Sequence, residues 1–298
     1  MIRFSICGAA SYACGELLRL MVNHPETQVA HLADSFAAGR RIQDEHPALM
    51  GFYDQEILPL NDETIAQIVE DSDVVFTAVD AGTVCGIAEK VLAGGKKFID
   101  FGADIRFRDA KVWEKWYHLD HPNYEMTKKA VYCIPEIQRD LAKGKSLISN
   151  PGCYPPATTL GLCPALKEGL VVENTIVVDA KSGYTGAGRR PAPNKLLAEA
   201  SNSFCAYALG GSHRHTPEIE QNIAYLTGKD LMKSETWQFI NFQPHLTPQI
   251  RGIEVTIYAT LNKDVTNDEL YELYQRYYKD EYFVRVFPAN KPVQTKWT

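Results

Sequence analysis

The chain has 298 residues, of which 45% are hydrophobic and 23% charged, and its formal net charge is −6 at pH 7. This composition is typical of a globular protein of about two domains, and the lack of long basic or apolar runs argues against a nucleic-acid partner and a membrane span. Seven cysteines without a CxxC pair argue against a disulfide framework and a zinc ribbon, and the N terminus lacks the features of a signal peptide, so we expect a reduced, cytoplasmic protein without a metal site.

The first half of the chain alternates predicted strands with predicted helices. Apolar patterning predicts strands at residues 2–6, 29–32, 73–79 and 97–101. Helical spacing of apolar residues predicts a helix after the small-residue turn that follows the first strand, and further helices at residues 63–70 and 83–93. This order predicts a parallel sheet with crossover helices, whereas residues 109–145 have a mixed aromatic and polar pattern.

The pattern of the chain changes near Ser149. Beyond this residue, helices are predicted at residues 156–168, 217–225 and 266–278, and strands at residues 174–180, 237–242 and 252–261. A loop rich in glycine and proline, SGYTGAGRRPAP, follows the first of these strands. The longer alternating strands favour an α+β domain with antiparallel pairing.

Gly8 lies between the first predicted strand and the first predicted helix, within the sequence GAASYACG. A glycine in this context is typical of a turn that places a dinucleotide pyrophosphate at a helix N terminus. Only Gly8 and Gly15 are glycines here, so the pattern alone fits an ordinary strand-to-helix turn equally well.

Cys153 lies between Pro-Gly and Tyr-Pro-Pro, at the start of a predicted helix. The helix dipole and the free N–H groups of the first turn stabilise a thiolate at such a position, and the neighbouring prolines stiffen the turn. These features predict a nucleophile, the alternative being a buried, inert thiol. Cys7, in a strand, and Cys163, within a helix, are predicted to be structural.

A nucleophilic thiol needs a nearby base, and the sequence SHRHTPE supplies His213 and His215 in a loop before a predicted helix. A His-x-His pair can also bind a metal, but no other cluster supplies evident further ligands, so a base is the favoured interpretation. Arginines in glycine-rich or turn contexts, which suit carboxylate or phosphate binding but also occur as solvated surface residues, are Arg106, Arg189, Arg214 and Arg251.

Taken together, these segments resemble the N-acetyl-γ-glutamyl-phosphate reductase family. The resemblance rests on SNPGCYPPAT at 149–158, SGYTGAGRRP at 182–191, HRHTPEIEQ at 213–221 and PHLTPQIRGI at 244–253, with weaker matches in GELLRLMVNHPE, IDFGADIRF and YCIPE. The segments follow the family's order across nearly the whole chain. The sister family of aspartate-semialdehyde dehydrogenases shares the fold and the cysteine chemistry but not the sequence around the histidines.

The resemblance implies a Rossmann-like α/β domain with a parallel sheet at residues 1–148, to which residues 286–298 return. It also implies an α+β catalytic and oligomerisation domain of the glyceraldehyde-phosphate/semialdehyde dehydrogenase type at residues 149–285. The implied activity is NADPH-dependent reduction of N-acetyl-γ-glutamyl phosphate to the 5-semialdehyde in arginine biosynthesis, by a homodimer or homotetramer, with NAD as the alternative cofactor. The other hypotheses are a reductase of aspartyl or aminoadipyl phosphate and a catalytically weak relative that binds a metabolite.

The family's functional residues transfer to three groups of positions in this chain. The catalytic group consists of Cys153, which would form a thioester, and of His213 and His215, between which the sequence does not choose an acid/base. The substrate-binding group consists of Arg106, Asn150, Arg189 and Glu218, the last with a second possible role in orienting a histidine or arginine. The cofactor-binding group consists of Gly8, Ala10, Ser11, Tyr12, Ala13, Ser35, Arg40, Gly183 and Gly186.

Two departures from the family pattern concern the cofactor. Ser11 and Cys14 replace the second and third glycines of the turn, and a Cβ at a position that needs positive φ costs about 1 kcal/mol. Asp34 ends the second predicted strand, where an acidic side chain favours ribose hydroxyls, whereas Arg40 and Arg41 suit a 2′-phosphate. The choice between NAD and NADP therefore stays open at this point.

Overall fold

The computed structural model describes residues 1–237 and 239–297. The chain folds into two compact units, one comprising Met1–Pro151 and the other beginning at Gly152, so the division lies close to Ser149. No helix among the described residues has both the length and the apolar character needed to cross a bilayer.

The first unit is built on a seven-stranded sheet with helices between its strands. Its strands are β1 (Ile2–Cys7), β2 (Thr27–Asp34), β3 (Leu58–Pro59), β4 (Val74–Thr77), β5 (Lys97–Asp100), β6 (Val131–Tyr132) and β7 (Leu147–Ser149). Its helices are α1 (Tyr12–Met21), α2 (Ile42–Glu45), α3 (Asp62–Asp71), α4 (Val84–Ala93), α5 (Ala110–Tyr117), α6 (Tyr124–Lys129) and α7 (Pro135–Ala142). The strand order is β3-β2-β1-β4-β5-β7-β6, and every pairing is parallel, as the sequence predicts.

The central strands are buried because helices cover both faces of a parallel sheet. Phe4, Ile6, Val75 and Phe98 are almost completely buried in two clusters of apolar side chains. The strand order reverses between β1 and β4, and in such sheets ligands bind at the carboxyl ends of the strands next to this point. The turn that contains Gly8 begins there, at the end of β1.

The second unit is a four-stranded sheet with helices on one face. Its strands are β8 (Ile176–Ser182), β9 (Cys205–Ala206), β10 (Ile240–Leu246) and β11 (Ile253–Tyr258), in the order β11-β8-β10-β9. Its helices are α8 (Tyr154–Lys167), α9 (Leu197–Ala200), α10 (Thr216–Leu226) and α11 (Asn267–Tyr278). Alternate residues of β8 are buried, and α8 and α10 pack together and on the sheet.

The prediction of antiparallel pairing is wrong for the central pair of this sheet. β8 and β10 are parallel, whereas β11 pairs antiparallel with β8 and β9 pairs antiparallel with β10. The long segment between β8 and β10 contains α9 and α10 and works as a crossover, so β10 enters the sheet in the same direction as β8. Near the C terminus, the Thr295 hydroxyl lies 3.3 Å from Oε1 of Gln249, a contact within this second unit.

Candidate active site

Cys153 lies immediately before the first turn of α8, as the sequence predicts for a nucleophile. It is the N-cap residue of this 14-residue helix, and its side chain is exposed, whereas five of the other six cysteines are buried. Pro155 and Pro156 occupy first-turn positions whose N–H groups would have no intrahelical acceptor, so the prolines stiffen the helix start without losing a hydrogen bond. The partial positive charge of the helix N terminus therefore lies beside an accessible sulfur.

His215 contacts the residues on both sides of Cys153. A Cβ built on Gly152 would lie 2.3 Å from Nε2 of His215, so the imidazole occupies the space that any other side chain at residue 152 would need. On the other side, the ring centroids of His215 and Tyr154 are 5.9 Å apart, in an edge-to-face arrangement. His215 is itself the N-cap residue of α10, so two packed helices present the imidazole and the thiol together.

Glu218 supports the turn before the cysteine from within α10. Its side chain is fully buried, and Oε1 accepts a 2.8 Å hydrogen bond from the Gly152 N–H. One turn further along α10, the amide of Asn222 donates to the Thr159 hydroxyl of α8 at 3.0 Å, also in a buried position. These two polar contacts fix the register between the helices that carry Cys153 and His215.

His213 is surrounded by three aromatic side chains. Its ring is 5.5 Å from Tyr154, 5.5 Å from Tyr207 and 5.3 Å from Phe242 in edge-to-face contacts. Nδ1 of His213 accepts a 3.0 Å hydrogen bond from the His215 N–H. Burial, with a smaller contribution from His215, lowers the pKa of His213 to about 3, so the imidazole is neutral at physiological pH.

Arg106 and Asn150 lie together in the first unit, next to the chain that leads to Cys153. Arg106 is buried, and its guanidinium donates to the carbonyls of Asn150 at 3.1 Å and Phe101 at 2.8 Å. The Asn150 N–H in turn donates to the Asp100 carbonyl at 2.8 Å. These contacts hold the segment after β7 in place, and the assignment of both residues to substrate binding stays a prediction.

Arg189 lies on the loop that follows β8, where it is exposed. The Lys195 ammonium fastens this loop by donating to the carbonyls of Ala187, Gly188 and Arg190 at 2.6, 3.1 and 2.8 Å. Gly183 permits close approach of the chain at Ile250, whose carbonyl oxygen a Cβ would meet at 2.7 Å. The structure thus gives the loop a defined anchor and leaves the substrate role of Arg189 a prediction.

Gly186 lies on the same loop, and its lack of a side chain leaves room for the Ser182 hydroxyl, 2.6 Å from the position of a Cβ. Like Gly183, it therefore has a steric reason to be glycine within the second unit. The predicted contact of both glycines with a cofactor stays a prediction.

The turn after β1 connects a strand to a helix N terminus through a glycine of positive φ, and its contact with a cofactor stays a prediction. Gly8 has a φ of +92°, and a Cβ there would lie 2.4 Å from the Ala78 carbonyl oxygen, so only glycine fits. The predicted strain at Ser11 and Cys14 is absent: Ser11 has a φ of −70° and caps α1, accepting from the Cys14 N–H at 3.2 Å, and Cys14 lies within that helix. The exposed N terminus of α1, with Tyr12 and Ala13 in its first turn, therefore fits a pyrophosphate.

The carboxylate of Asp34 is engaged by the main chain rather than presented to solvent. Asp34 is buried, and it accepts hydrogen bonds from the N–H groups of Ala10, Phe36 and Ala37 at 3.1, 2.8 and 3.2 Å. The interpretation of this residue as a ligand of ribose hydroxyls is therefore not supported by its contacts. Ser35 and Arg40 are exposed beside it, and Arg40 forms a 2.8 Å ion pair with Glu45.

The sequence interpretation missed two tyrosines of the site. Tyr154 directly follows Cys153, and this adjacency was the only available indication. Tyr207 lies in a segment without regular patterning, yet its hydroxyl is 3.1 Å from the Tyr154 hydroxyl and 3.4 Å from Nε2 of His213. Among the described residues, no group of three or more histidine, cysteine, aspartate or glutamate side chains is arranged to hold a metal ion. The His213–His215 pair belongs to no such group.

Comparison with known proteins gives the same picture. A family model described as the NAD binding domain of semialdehyde dehydrogenase matches residues 3–145, and one described as the dimerisation domain of semialdehyde dehydrogenase matches residues 153–298. An aspartate semialdehyde dehydrogenase II from Vibrio cholerae superposes with a TM-score of 0.68 at 12% identity, covering 99% of this chain and 84% of that one. The fold and the site therefore define a semialdehyde dehydrogenase.

Relatives of higher identity narrow the class. N-acetyl-gamma-glutamyl-phosphate reductase of Desulforudis audaxviator is 42% identical over 296 residues, 99% of this chain and 82% of that relative. The enzyme of the same name from Synechocystis sp. is 40% identical over 296 residues, 99% of this chain and 81% of that relative. The chain belongs to the N-acetyl-γ-glutamyl-phosphate reductase family.

Proposed function

We propose that this chain reduces N-acetyl-γ-glutamyl phosphate to N-acetyl-glutamate 5-semialdehyde and phosphate, with NADPH as the reductant. The observation that carries the proposal is the exposed Cys153 thiol at the start of α8, with the His215 ring against the residues on both sides of it. A thiol, a base and a helix N terminus are the groups that acyl transfer from a phosphate requires.

In the first half of the reaction, His215 takes the proton of the Cys153 thiol, and the sulfur attacks the acyl carbon. The carbon–oxygen bond to phosphate then breaks, phosphate leaves, and a thioester to Cys153 remains. The developing oxyanion needs donors, and the N–H groups of Cys153 and Tyr154, which the two prolines leave at the start of α8, and the protonated imidazole of His215 would supply them. Glu218 keeps the turn in place by binding the Gly152 N–H.

The second half needs a hydride at the thioester carbonyl carbon, which NADPH would supply when bound and which no side chain can supply. The protonated imidazole of His215 would donate a hydrogen bond to the oxyanion that forms. When the carbon–sulfur bond breaks and the aldehyde is released, Cys153 would leave as thiolate and take the proton back from His215. Gly8, Ala10, Ser11, Tyr12 and Ala13 form the turn that would hold the cofactor's pyrophosphate.

NADP is favoured over NAD because the acidic residue at the end of β2 is already engaged. The Asp34 carboxylate accepts hydrogen bonds from three main-chain N–H groups, whereas Arg40 is exposed nearby and carries a charge that suits a 2′-phosphate.

We expect a homodimer or homotetramer, formed through the sheet face of the second unit that α8 and α10 leave uncovered. Val177 and Tyr258, neighbours on that face, are 38% and 59% exposed.

The proposal is tested by cofactor titration and by the reverse reaction. Fluorescence titration should show tighter binding of NADPH than of NADH, and phosphate-dependent oxidation of N-acetyl-glutamate semialdehyde should reduce NADP. Cys153→Ser should abolish turnover while the circular dichroism spectrum and the melting temperature stay near those of the parent. Turnover of aspartate or aminoadipate semialdehyde instead would assign another substrate, and no cofactor binding at millimolar concentration would favour a metabolite-binding protein.

A further inference from the structure

We propose that Tyr207 is a positioning residue of this active site, acting through His213 on the main chain of His215. The proposal rests on the proposed function only where turnover is measured, because the hydrogen-bond arrangement is a property of the free protein. His213 then has a holding role rather than an acid/base role.

The neutral ring of His213 carries its proton on Nε2. Nδ1 accepts a hydrogen bond from the His215 N–H at 3.0 Å, and a backbone N–H has no acceptor capacity, so Nδ1 carries no proton. A neutral imidazole has one proton, which therefore lies on Nε2. This tautomer is fixed by the main chain of the residue that it helps to hold.

The Tyr207 hydroxyl accepts the hydrogen bond from Nε2–H of His213. Nε2 of His213 lies 3.4 Å from the Tyr207 hydroxyl, so Nε2–H donates to the tyrosine oxygen. The rings of Tyr154, Tyr207 and Phe242 surround the imidazole, and the charged or titratable groups nearest to it are His215, Glu218 and Arg214. Burial keeps the imidazole neutral across the range in which the enzyme would work.

Tyr154 is the next residue in this chain of hydrogen bonds. Because Tyr207 accepts from His213, its own O–H donates to the Tyr154 hydroxyl, 3.1 Å away. The Ser182 hydroxyl also contacts Tyr154 and opposes the rise in the pKa of Tyr154 that burial causes, as a donor to the Tyr154 oxygen does. The donors from the His215 main chain to Tyr154 then point the same way, and Tyr207 is the link between the His213 ring and Tyr154.

The arrangement divides the two histidines by role. His213 has one nitrogen occupied by an incoming N–H and the other occupied in donating to Tyr207, so it holds the main chain of His215 and does not exchange protons with the substrate. His215 has the ring that lies against Gly152, the residue before Cys153. Loss of the Tyr207 hydroxyl would leave a buried N–H without its acceptor and release the constraint on His215.

The direct test is nitrogen-15 NMR of the histidine side chains in the full-length protein without ligands. Comparison with the His213→Asn variant assigns the ring. We expect His213 to show the Nε2–H pattern without titrating between pH 5 and 8. An Nδ1–H pattern, or titration near the ordinary pKa of about 6.5, would overturn the proposal without any measurement of turnover.

The kinetic test compares conservative substitutions in the reverse reaction. Tyr207→Phe should lower kcat about tenfold at nearly unchanged KM, since a buried donor without an acceptor costs about 1–3 kcal/mol. His213→Asn, whose amide oxygen can accept from the His215 N–H, should retain more activity than His213→Leu. His215→Asn should lose about a hundredfold or more, as expected for a general acid/base.

Tyr225→Phe, a tyrosine on α10 outside this chain of hydrogen bonds, is the matched control and should behave as the parent. Equal losses in His213→Asn and His215→Asn, or parent-like kinetics in Tyr207→Phe, would overturn the proposal. If the parent itself has no reductase activity, the proposed function fails, while the NMR result still decides whether His213 has the Nε2–H tautomer that the proposal requires.

Discussion

Gly152 is the residue at which the main chain before the nucleophile and the ring of the base come closest. The absent side chain gives His215 its place, since Nε2 would lie 2.3 Å from a Cβ. The same residue donates its N–H to Glu218, so it is held from two sides. A side chain here would displace the base by more than the tolerance that proton transfer allows.

Gly152→Ala should therefore lower kcat about a hundredfold or more while the protein stays folded, because the imidazole has to leave its position beside Cys153. Steady-state kinetics and a thermal melt measure the two effects. Gly161→Ala, in the same helix, is the control: its Cβ would meet only the end of the Ile257 side chain, at 3.1 Å. Similar kinetics for the two variants would contradict this steric interpretation.

Asp100 is a second residue whose surroundings have a measurable consequence. Burial raises the pKa of Asp100 to about 6, and the nearby Asp104 also raises it. Hydrogen bonds from Thr77 and Gly102 and the charge of Arg106 lower this pKa, but by less than burial raises it. The native state therefore binds this proton more tightly than the unfolded chain, whose pKa is near 4. The contribution of this carboxyl group to stability is complete below pH 4 and is lost as the pH rises through 6.

Asp100→Asn should remove that dependence, because the amide keeps an acceptor for Thr77 and carries no charge. We expect the variant to be more stable than the parent above pH 6, by up to about 3 kcal/mol, and similar to it at pH 4. Urea denaturation at pH 4.5 and pH 8 measures the difference. A variant that is less stable at pH 8 would show that the carboxylate is favourable where it lies.

At the scale of elements, α8 is a helix with an internal defect that α11 repairs. Pro164 has no N–H, so the Leu160 carbonyl, which it would have bound, lacks its helical donor. The Tyr278 hydroxyl of α11 donates to that carbonyl at 2.7 Å, and the Tyr274 hydroxyl donates to the next one, at Gly161, at 2.6 Å. The last α-helix among the described residues thus stabilises the helix that begins directly after Cys153.

Tyr278→Phe should destabilise the protein by about 1–3 kcal/mol, since a buried carbonyl loses its donor. Tyr271→Phe, on the same helix but at a half-buried position where its hydroxyl accepts from Gln275, should stay within about 0.5 kcal/mol of the parent. Chemical denaturation of both variants makes the comparison, and equal stabilities would show that water replaces the tyrosine.

Elements with a strong local pattern could be predicted from the sequence, and short elements could not. The buried β4 and β5 and the amphipathic α3 and α4 lie within a few residues of their predicted positions. The two-residue strands β3 and β6 give no periodicity to detect. The direction of β10 depends on how the chain crosses over, which alternation along a strand does not encode.

At the scale of the whole molecule, the sheet of the second unit exposes the alternate side chains of β8 and β11 on one face. Val177 and Tyr258 lie opposite each other in the β8–β11 pairing, with Asp179, Lys181 and Glu254 further along the same face. Exposed apolar side chains beside an internally paired charge cluster are typical of a surface that a second copy covers.

Tyr258→Arg should therefore convert the assembly to a smaller one, because two copies of the new charge would meet across a twofold interface. Light scattering coupled to gel filtration gives the molar mass directly. Phe52→Arg, an exposed aromatic position in the first unit, is the control and should leave the mass unchanged. A parent that is monomeric would contradict the proposed interface.

The site divides into residues that local sequence marks and residues that only the fold places. Cys153 and the two histidines are marked by prolines, glycine and close spacing. The engagement of Asp34 by the Ala10 N–H, 24 positions away, has no local sequence indication. The same is true of Tyr207, which reaches Tyr154 across 53 positions. Such contacts follow from tertiary packing, so the sequence alone does not show which of the two histidines is the acid/base.

The uneven exposure of the seven cysteines has a practical consequence. Five are buried, and Cys153 and Cys205 are exposed, so an alkylating reagent meets two thiols on the native fold. Replacing Cys205 by serine would leave a single labelling position per chain. The stoichiometry of alkylation would then count intact active centres in any preparation, and protection by substrate would report occupancy without a turnover assay.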